Sequence, residues 1–349
     1  MKKSILCLIL IFMAFAKSKT VQAQSKNDQK VILMTLDGYR WQELFTGADA
    51  QLITNEKYVE DTTALKQQFW KESAQERRET LMPFIWTEGI GVGEIHGNRE
   101  KGSKFNLTNG MWFSYPGYNE ILTGKADDKN ITSNDKIYNP NTTILEKLNQ
   151  MPRYKDKVVA FASWDVFPYI INDKRSGVHV NAGYVDNQQS KASYSEKLIN
   201  RMEEKTPSPF GNSARLDVFT DYYALEYMKQ QHPDMVYIAN DETDDFAHQG
   251  KYDKYLNAAH DADAFLKELW YFVQSDPYYK DKTTIILTTD HGRGTQPLDT
   301  WRSHGNNIQG ADQTWMIVLG AQAKKMGEAT QEEQLHTTSV AERIMSILK

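Results

Sequence analysis

The chain reads as an α/β protein with a mostly parallel central sheet and helices on both faces. Three observations predict this. Short apolar, β-branched runs recur at Val31 to Leu36, Val158 to Ala162, Met235 to Ala239, Thr314 to Leu319 and from Thr283 onward. These runs are nearly continuous, as in strands buried on both faces. They alternate with stretches of helical period, the grammar of strand-helix-strand units. With 349 residues and 40% hydrophobic content the chain can bury a substantial core, and no repeat, low-complexity tract or linker divides it.

The amino terminus follows the three-part pattern of a secretory signal: Lys2 and Lys3, an apolar run from Ile5 to Ala16, and Val21-Gln22-Ala23. Cleavage is expected after Ala23, leaving residues 24–349 as a single domain of an exported protein, periplasmic or secreted. The apolar run is too short to span a bilayer comfortably and no later segment is longer, so no membrane span is expected once the signal is removed. The one cysteine, Cys7, lies inside the signal, so the mature chain is expected to be free of disulfides. Loss of the signal removes four lysines and no acids, leaving 37 basic against 46 acidic residues and a formal charge of −9. A chain this acidic is a poor partner for duplex nucleic acid.

Taken in order, Val31 to Leu36 is a buried strand stopped by Asp37-Gly38, where a carboxylate also serves as an ordinary turn former. Thr62 to Arg78 has apolar residues at helical spacing and is expected as a covering helix; Ile90 to Ile95 is a short strand. In Asn109 to Gly124, NGMWFSYPGYNEILTG, Ser114 stands two residues before Pro116. Proline favours the first helical turn, so Tyr118 to Leu122 is helical and Ser114 sits just before its amino end. Free N–H groups and the positive end of the dipole gather there, which suits a hydroxyl that must ionise, although a plain Ser N-cap has the same pattern.

Thr142 to Gln150 is a helix and Val158 to Ala162 a strand. Pro168 to Gly211 is a long polar insertion with one helix near Ser195 to Glu203. Leu216 to Gln231 is helical, and Met235 to Ala239 is a strand that opens into Asn240 to His248, NDETDDFAH. Asp244 and His248 are four apart, so a helical turn places both on one face where they can hold one metal; Asp241 and Asp245 are alternative ligands. Tyr252 to Gln274 is a long amphipathic helix. The run from Thr283 ends in Asp290-His291-Gly292, a carboxylate and an imidazole beyond a strand's carboxyl end, where open α/β sheets place their ligands. Trp301-Arg302-Ser303-His304-Gly305, a strand at Thr314 to Leu319 and a helix at Thr338 to Leu348 complete the chain.

Three aspartates, three histidines and one serine at these places are the inventory for two zinc ions. Here the chain resembles the alkaline phosphatase superfamily, and most closely its nucleotide pyrophosphatase/phosphodiesterase branch. The resemblance runs from Val31 to about Leu319 through Asp37-Gly38, Ser114-Tyr115-Pro116 with Thr123-Gly124, Asp244 to His248, Asp290-His291-Gly292 and His304-Gly305. It implies an alkaline-phosphatase-like domain hydrolysing a small phosphate ester. One zinc would be bound by Asp37, Ser114, Asp290 and His291, the other by Asp244, His248 and His304, and Mn2+ or another divalent metal is an alternative. Ser114 would be the nucleophile, forming a phosphoseryl intermediate, and Asn134 the oxyanion-binding residue.

The chain also departs from the branch. Gly117 stands where the branch has Asn, Asn134 aligns only across a one-residue gap, and His304 follows Asp290-His291-Gly292 much sooner than usual. Arg302 offers a planar fork to a phosphate, although exposed arginines are common. The same scaffold carries phosphomonoesterases, headgroup transferases that usually have several membrane helices, and sulfatases or phosphonate monoester hydrolases using formylglycine. The last need a C/S-x-P-x-R context, and here Tyr118 fills the final position. A non-catalytic protein that uses the metals to hold a phosphorylated ligand is the alternative of a different class.

Overall fold

The computed structural model describes residues 28–184 and 193–349. The expected signal, residues 1–23, lies outside the described residues. Among the described residues eleven strands are defined: β1 Lys30–Leu36, β2 Gly93–His96, β3 Ser103–Asn106, β4 Val158–Ala162, β5 His179–Ala182, β6 Met235–Asn240, β7 Thr283–Thr288, β8 Gln313–Thr314, β9 Met316–Gly320, β10 Gly327–Glu328 and β11 Glu333–His336. Eight form the main sheet in the order β10-β2-β9-β7-β1-β6-β4-β5, and β11, β3 and β8 form a small second sheet. Within the main sheet only β9 runs against its neighbours, β2 and β7.

All seven residues of β1 are buried, and the strand lies parallel between β6 and β7. Its alternate side chains serve opposite faces of the sheet. Ile32, Met34 and Leu36 join one core with Val236, Ile238, Ile285 and Leu287, while Val31 and Leu33 join another with Met235, Tyr237 and Ile286. Helices Asp217–Gln231 and Tyr252–Ser275 cover the first face. Helices Ser114–Thr123, Ile144–Asn149 and Ser339–Leu348 cover the second. A strand with a core on each side has no polar face to display, which explains the uninterrupted apolar runs.

Register positions the site. Leu36 is paired with Asn240 and Thr35 with Thr288, so the chain leaves β1, β6 and β7 along one rim of the sheet. Asp37, Asp241 and Asp290 all stand on that rim.

Four expectations about elements change. The helix expected over Thr62 to Arg78 is two helices, Thr62–Phe69 and Ala74–Leu81, because Ser73 and Glu76 form a capping box that starts the second. The strand expected at Ile90 begins only at Gly93, since Ile85 to Val92 is wound into helical turns. The strand expected over Thr314 to Leu319 is shared between the two sheets, with β8 pairing with β3 and β9 joining the main sheet. The stretch 168–211 is less of an insertion than its polarity suggests, although residues 185–192 lie outside the described residues. It supplies β5, an edge strand parallel to β4, and most of the helix Phe167–Ile171, whose Ile170 and Ile171 are fully buried. Its helix near Ser195 is Tyr194–Glu203. Among the described residues no helix is long and apolar enough to cross a membrane.

Candidate metal centre

Asp37 follows β1 and Asp290 follows β7 at a distance of one residue. Gly38, at φ 56°, turns the chain so that its N–H donates to Asp290 Oδ1 at 3.0 Å. His291 is fully buried, with Nδ1 2.9 Å from the Gly292 carbonyl. Donation from Nδ1 to that carbonyl leaves the Nε2 lone pair facing the carboxylates, 3.3 Å from Asp37 Oδ1 and 3.6 Å from Asp290 Oδ2. Tyr118 donates its hydroxyl to Asp37 Oδ2 at 2.8 Å, and Thr243 donates to the Asp37 carbonyl at 2.6 Å.

Asp37 Oδ1 and Asp290 Oδ2 are buried and without a hydrogen-bond partner. Two orphaned carboxylate oxygens around an imidazole nitrogen, all within 4.8 Å of one another, are a donor set that fits a divalent cation. Without a cation, burial opposes charge on His291, but the adjacent Asp290 and Asp37 carboxylates outweigh it and raise its pKa to about 9. Burial, reinforced by Asp37, drives the Asp290 carboxyl well above its usual range.

The second group sits beside the first. Asp244 and His248 occupy one face of the helix Glu242–His248 that follows β6, with Asp244 Oδ2 3.1 Å from His248 Nε2. His304 arrives from the loop after the turn Leu298–Arg302 and places Nε2 3.0 Å from His248 Nε2. Burial and the neighbouring His291 and Arg293 depress the His304 pKa strongly; burial and His291 also lower that of His248. Both are thereby kept as neutral imidazoles, the ligating form. Asp244, His248 and His304 form a second set within 4.8 Å, and among the described residues Asp241 and Asp245 join neither set. The two sets touch: the His291 and His304 rings lie 4.1 Å apart.

Ser114 is the first residue of the helix Ser114–Thr123 and its Oγ is 3.4 Å from His291 Nε2. Asn109 Oδ1 accepts the Met111 and Trp112 N–H groups, Trp112 takes φ 56°, and the chain turns sharply into the helix. The Trp112 carbonyl accepts the Gly305 N–H at 2.9 Å, tying the serine's lead-in to the loop that carries His304. Asn134 is exposed, and its Oδ1 accepts the Tyr115 N–H at 3.0 Å, so its NH2 group is the part available to an anion. The glycine at 117 also has a physical reason. A Cβ there would lie 2.2 Å from the Asp290 carbonyl oxygen, so the helix can rest on the end of β7 only without a side chain.

The structure therefore brings seven of the eight candidate residues, all but Asn134, into one cluster that is buried at the Asp37, Asp290 and His291 end and open at His248, with Asn134 at the amino end of the serine helix. Sequence reasoning passed over Tyr118 and Arg293. Arg293 is fully buried, donates from Nε to the Gly38 carbonyl at 3.0 Å and contacts Asp244 through Nη2. Its place directly after Asp290-His291-Gly292 was the available signal. Arg302 donates to the His248 carbonyl at 3.0 Å, on the outer side of the second group.

Residues 181–318 match the family model described as the Metalloenzyme superfamily, a span that includes Asp244, His248, Asp290, His291 and His304. The fold is similar to that of solved proteins of low sequence identity. Ps i-CgsB is 12% identical with TM-score 0.58, covering 92% of this chain and 72% of that one. The lipoteichoic acid synthase LtaP from Listeria monocytogenes is 11% identical with TM-score 0.56, covering 93% and 72%. The fold is consistent with an alkaline-phosphatase-like architecture, and the family model matches the part of the chain that carries five of the candidate ligands. Another similar structure is that of the phosphonate monoester hydrolase SpPMH from Silicibacter pomeroyi, 12% identical with TM-score 0.53, covering 92% and 73%. No curated protein matches the chain by sequence. The Metalloenzyme match implies divalent-metal binding, and the two groups of ligand-type side chains are the candidate places for it.

Proposed function

We propose that the protein is a phosphoric ester hydrolase with two zinc ions, a phosphodiesterase in preference to a monoesterase, and that Ser114 is its nucleophile. The observation that carries this reading is the Ser114 hydroxyl, 3.4 Å from His291 Nε2 at the amino end of a ten-residue helix. Asp37, Asp290 and His291 with Ser114 would hold one cation, and Asp244, His248 and His304 the other. Bound there, the cations would neutralise phosphoryl charge and lower the pKa of the serine hydroxyl.

The chain's own residues supply alignment. The helix directs Ser114 Oγ at phosphorus with the positive end of its dipole behind it, and the Asn134 NH2 faces the same anion. The leaving oxygen departs on the His248 and His304 side. Water then cleaves the phosphoseryl bond from that side, so two inversions give net retention at phosphorus. Residues 1–23 are proposed as a cleaved export signal, with residues 24–349 as one exported catalytic domain.

The test pairs metal content with turnover of p-nitrophenyl phosphate and bis-p-nitrophenyl phosphate by the wild type and Ser114→Ala. The expected result is about two zinc per chain, preference for the diester, and loss of turnover in the variant with the zinc retained. Turnover that survives Ser114→Ala would overturn the nucleophile assignment, and a wild type without metal would overturn the whole reading.

A further inference from the structure

The two carboxylate oxygens of Asp244 face different neighbours. Oδ2 lies 3.1 Å from His248 Nε2, within its own group. Oδ1 lies 3.6 Å from His291 Nε2, toward the other group, and 3.8 Å from His304 Nε2. A carboxylate with both oxygens free in this position would bridge two cations.

Arg293 stands in the way. Its Nη2 takes Asp244 Oδ1 and also donates to the Asp244 carbonyl at 3.3 Å, while Nε donates to the Gly38 carbonyl at 3.0 Å. The side chain is fully buried, so packing holds the guanidinium in this orientation. Gly38 belongs to the same arrangement. A Cβ there would sit 2.8 Å from Asp244 Oδ1 and 2.9 Å from Arg293 Nε and Nη2, so the arginine fits only against a glycine. The planar fork matters too, because one guanidinium spans the turn after β1 and the carboxylate after β6, and an ammonium has no such geometry.

We infer that Arg293 is a positioning residue that takes Asp244 Oδ1 out of play. Asp244 is then a one-oxygen ligand for the cation held with His248 and His304, and the space between the two groups is left to the phosphoryl group. This rests on the two-metal reading above.

The test uses the full mature chain loaded with Mn2+ alone, comparing the wild type, Arg293→Gln and Arg293→Lys. Manganese is counted per chain, electron paramagnetic resonance reports magnetic coupling, and near-ultraviolet circular dichroism reports folding. The wild type is expected to bind two Mn2+ with weak coupling. Arg293→Gln is expected to keep both but show a strongly exchange-coupled pair, with kcat for the diester lowered roughly 10- to 100-fold and KM little changed. Arg293→Lys keeps the charge without the fork and should fall between them; it carries the comparison if the glutamine variant does not fold. Identical coupling in the wild type and a folded variant overturns the inference while leaving the two-metal reading intact. So does loss of one manganese without new coupling, since Arg293 would then only support Asp244. A wild type that does not bind two Mn2+ overturns both.

Discussion

Asp37, Asp290 and His291 follow neighbouring parallel strands and are at most 1% exposed, whereas Asp244, His248 and His304 come from a seven-residue helix and a loop, with the His248 side chain 46% exposed. The first group inherits its geometry from the sheet: strand register fixes where Asp37 and Asp290 emerge, and Tyr118 and the Gly38 N–H hold their oxygens. The second group lies one step further from the sheet, on the helix after β6 and on a loop, and draws on side-chain supports, Arg293 on Asp244 and Arg302 on the His248 carbonyl. Sites on strands are more rigid than sites on loops, and openings that cost little are found where backbone is exposed. One half of the centre is thus part of the frame and the other lies nearer solvent, a division that suits the proposed reaction, in which the nucleophile would stay fixed while leaving groups come and go.

Breaking the rigid half should have the largest effect. Gly117→Ala places a methyl group 2.2 Å from the Asp290 carbonyl oxygen, so the serine helix must lift from β7. We expect a loss of stability of about 1–3 kcal/mol and, since Ser114 moves with the helix, about 100-fold lower turnover. Denaturant unfolding and steady-state kinetics measure the two. Wild-type kinetics in the alanine variant would show that the close approach is not needed.

A buried carboxylate far from the centre sharpens the contrast. Asp263 is 1% exposed and accepts the Phe84 and Ile85 N–H groups at 2.7 and 2.9 Å. Burial raises its pKa from 3.8 to about 6 against those two bonds. Because the folded pKa lies above the unfolded one, the protonated carboxyl favours the fold, fully so below about pH 4, and that contribution is lost as pH rises through about 6. The stability of wild type relative to Asp263→Asn should therefore fall between pH 4 and 7, by on the order of 2 kcal/mol. A difference that does not change with pH would mean that Asp263 is not buried as described.

The smallest effect expected is on one support of the rigid half. Tyr118→Phe deletes the 2.8 Å hydrogen bond to Asp37 Oδ2. Metal affinity of the Asp37, Asp290 and His291 group should fall about 10-fold while the other group is unaffected. Titration calorimetry with zinc separates the two; an equal loss at both groups would mean that they are not independent.

Much of this arrangement is legible in the residues because its physics is local. Apolar runs that end in Asp37-Gly38 and Asp290-His291-Gly292 mark strand ends, and the four-residue spacing of Asp244 and His248 needs only a helical turn. The supports are illegible for the opposite reason: Tyr118 reaches Asp37 across 81 positions and Arg293 reaches Gly38 across 255. Nothing in a one-dimensional pattern specifies such pairs. The second sheet escaped because β3, β8 and β11 have two to four residues each and carry Ser103, Lys104, Gln313 and Glu333, with no apolar run to announce them. In β5 the sequence His179-Val180-Asn181-Ala182 has no apolar run, because Asn181 is buried as the acceptor for Arg215 and His179 stacks on Tyr227, so its contribution to the main sheet was hidden inside an apparent insertion.

The order of strands also sets a timetable. Gly38 and the Asp290 it touches are 252 positions apart, so an emerging chain offers Asp37 long before Asp290 and His291 have been synthesised. Contacts this distant in sequence form late, after the entropy of closing the intervening chain has been overcome. An amino-terminal fragment lacks two of the three residues of the buried group, so under the proposed two-metal reading that group can take a cation only once β7 lies beside β1. The proposed chemistry would then be confined to chains whose central sheet has closed, without any separate safeguard.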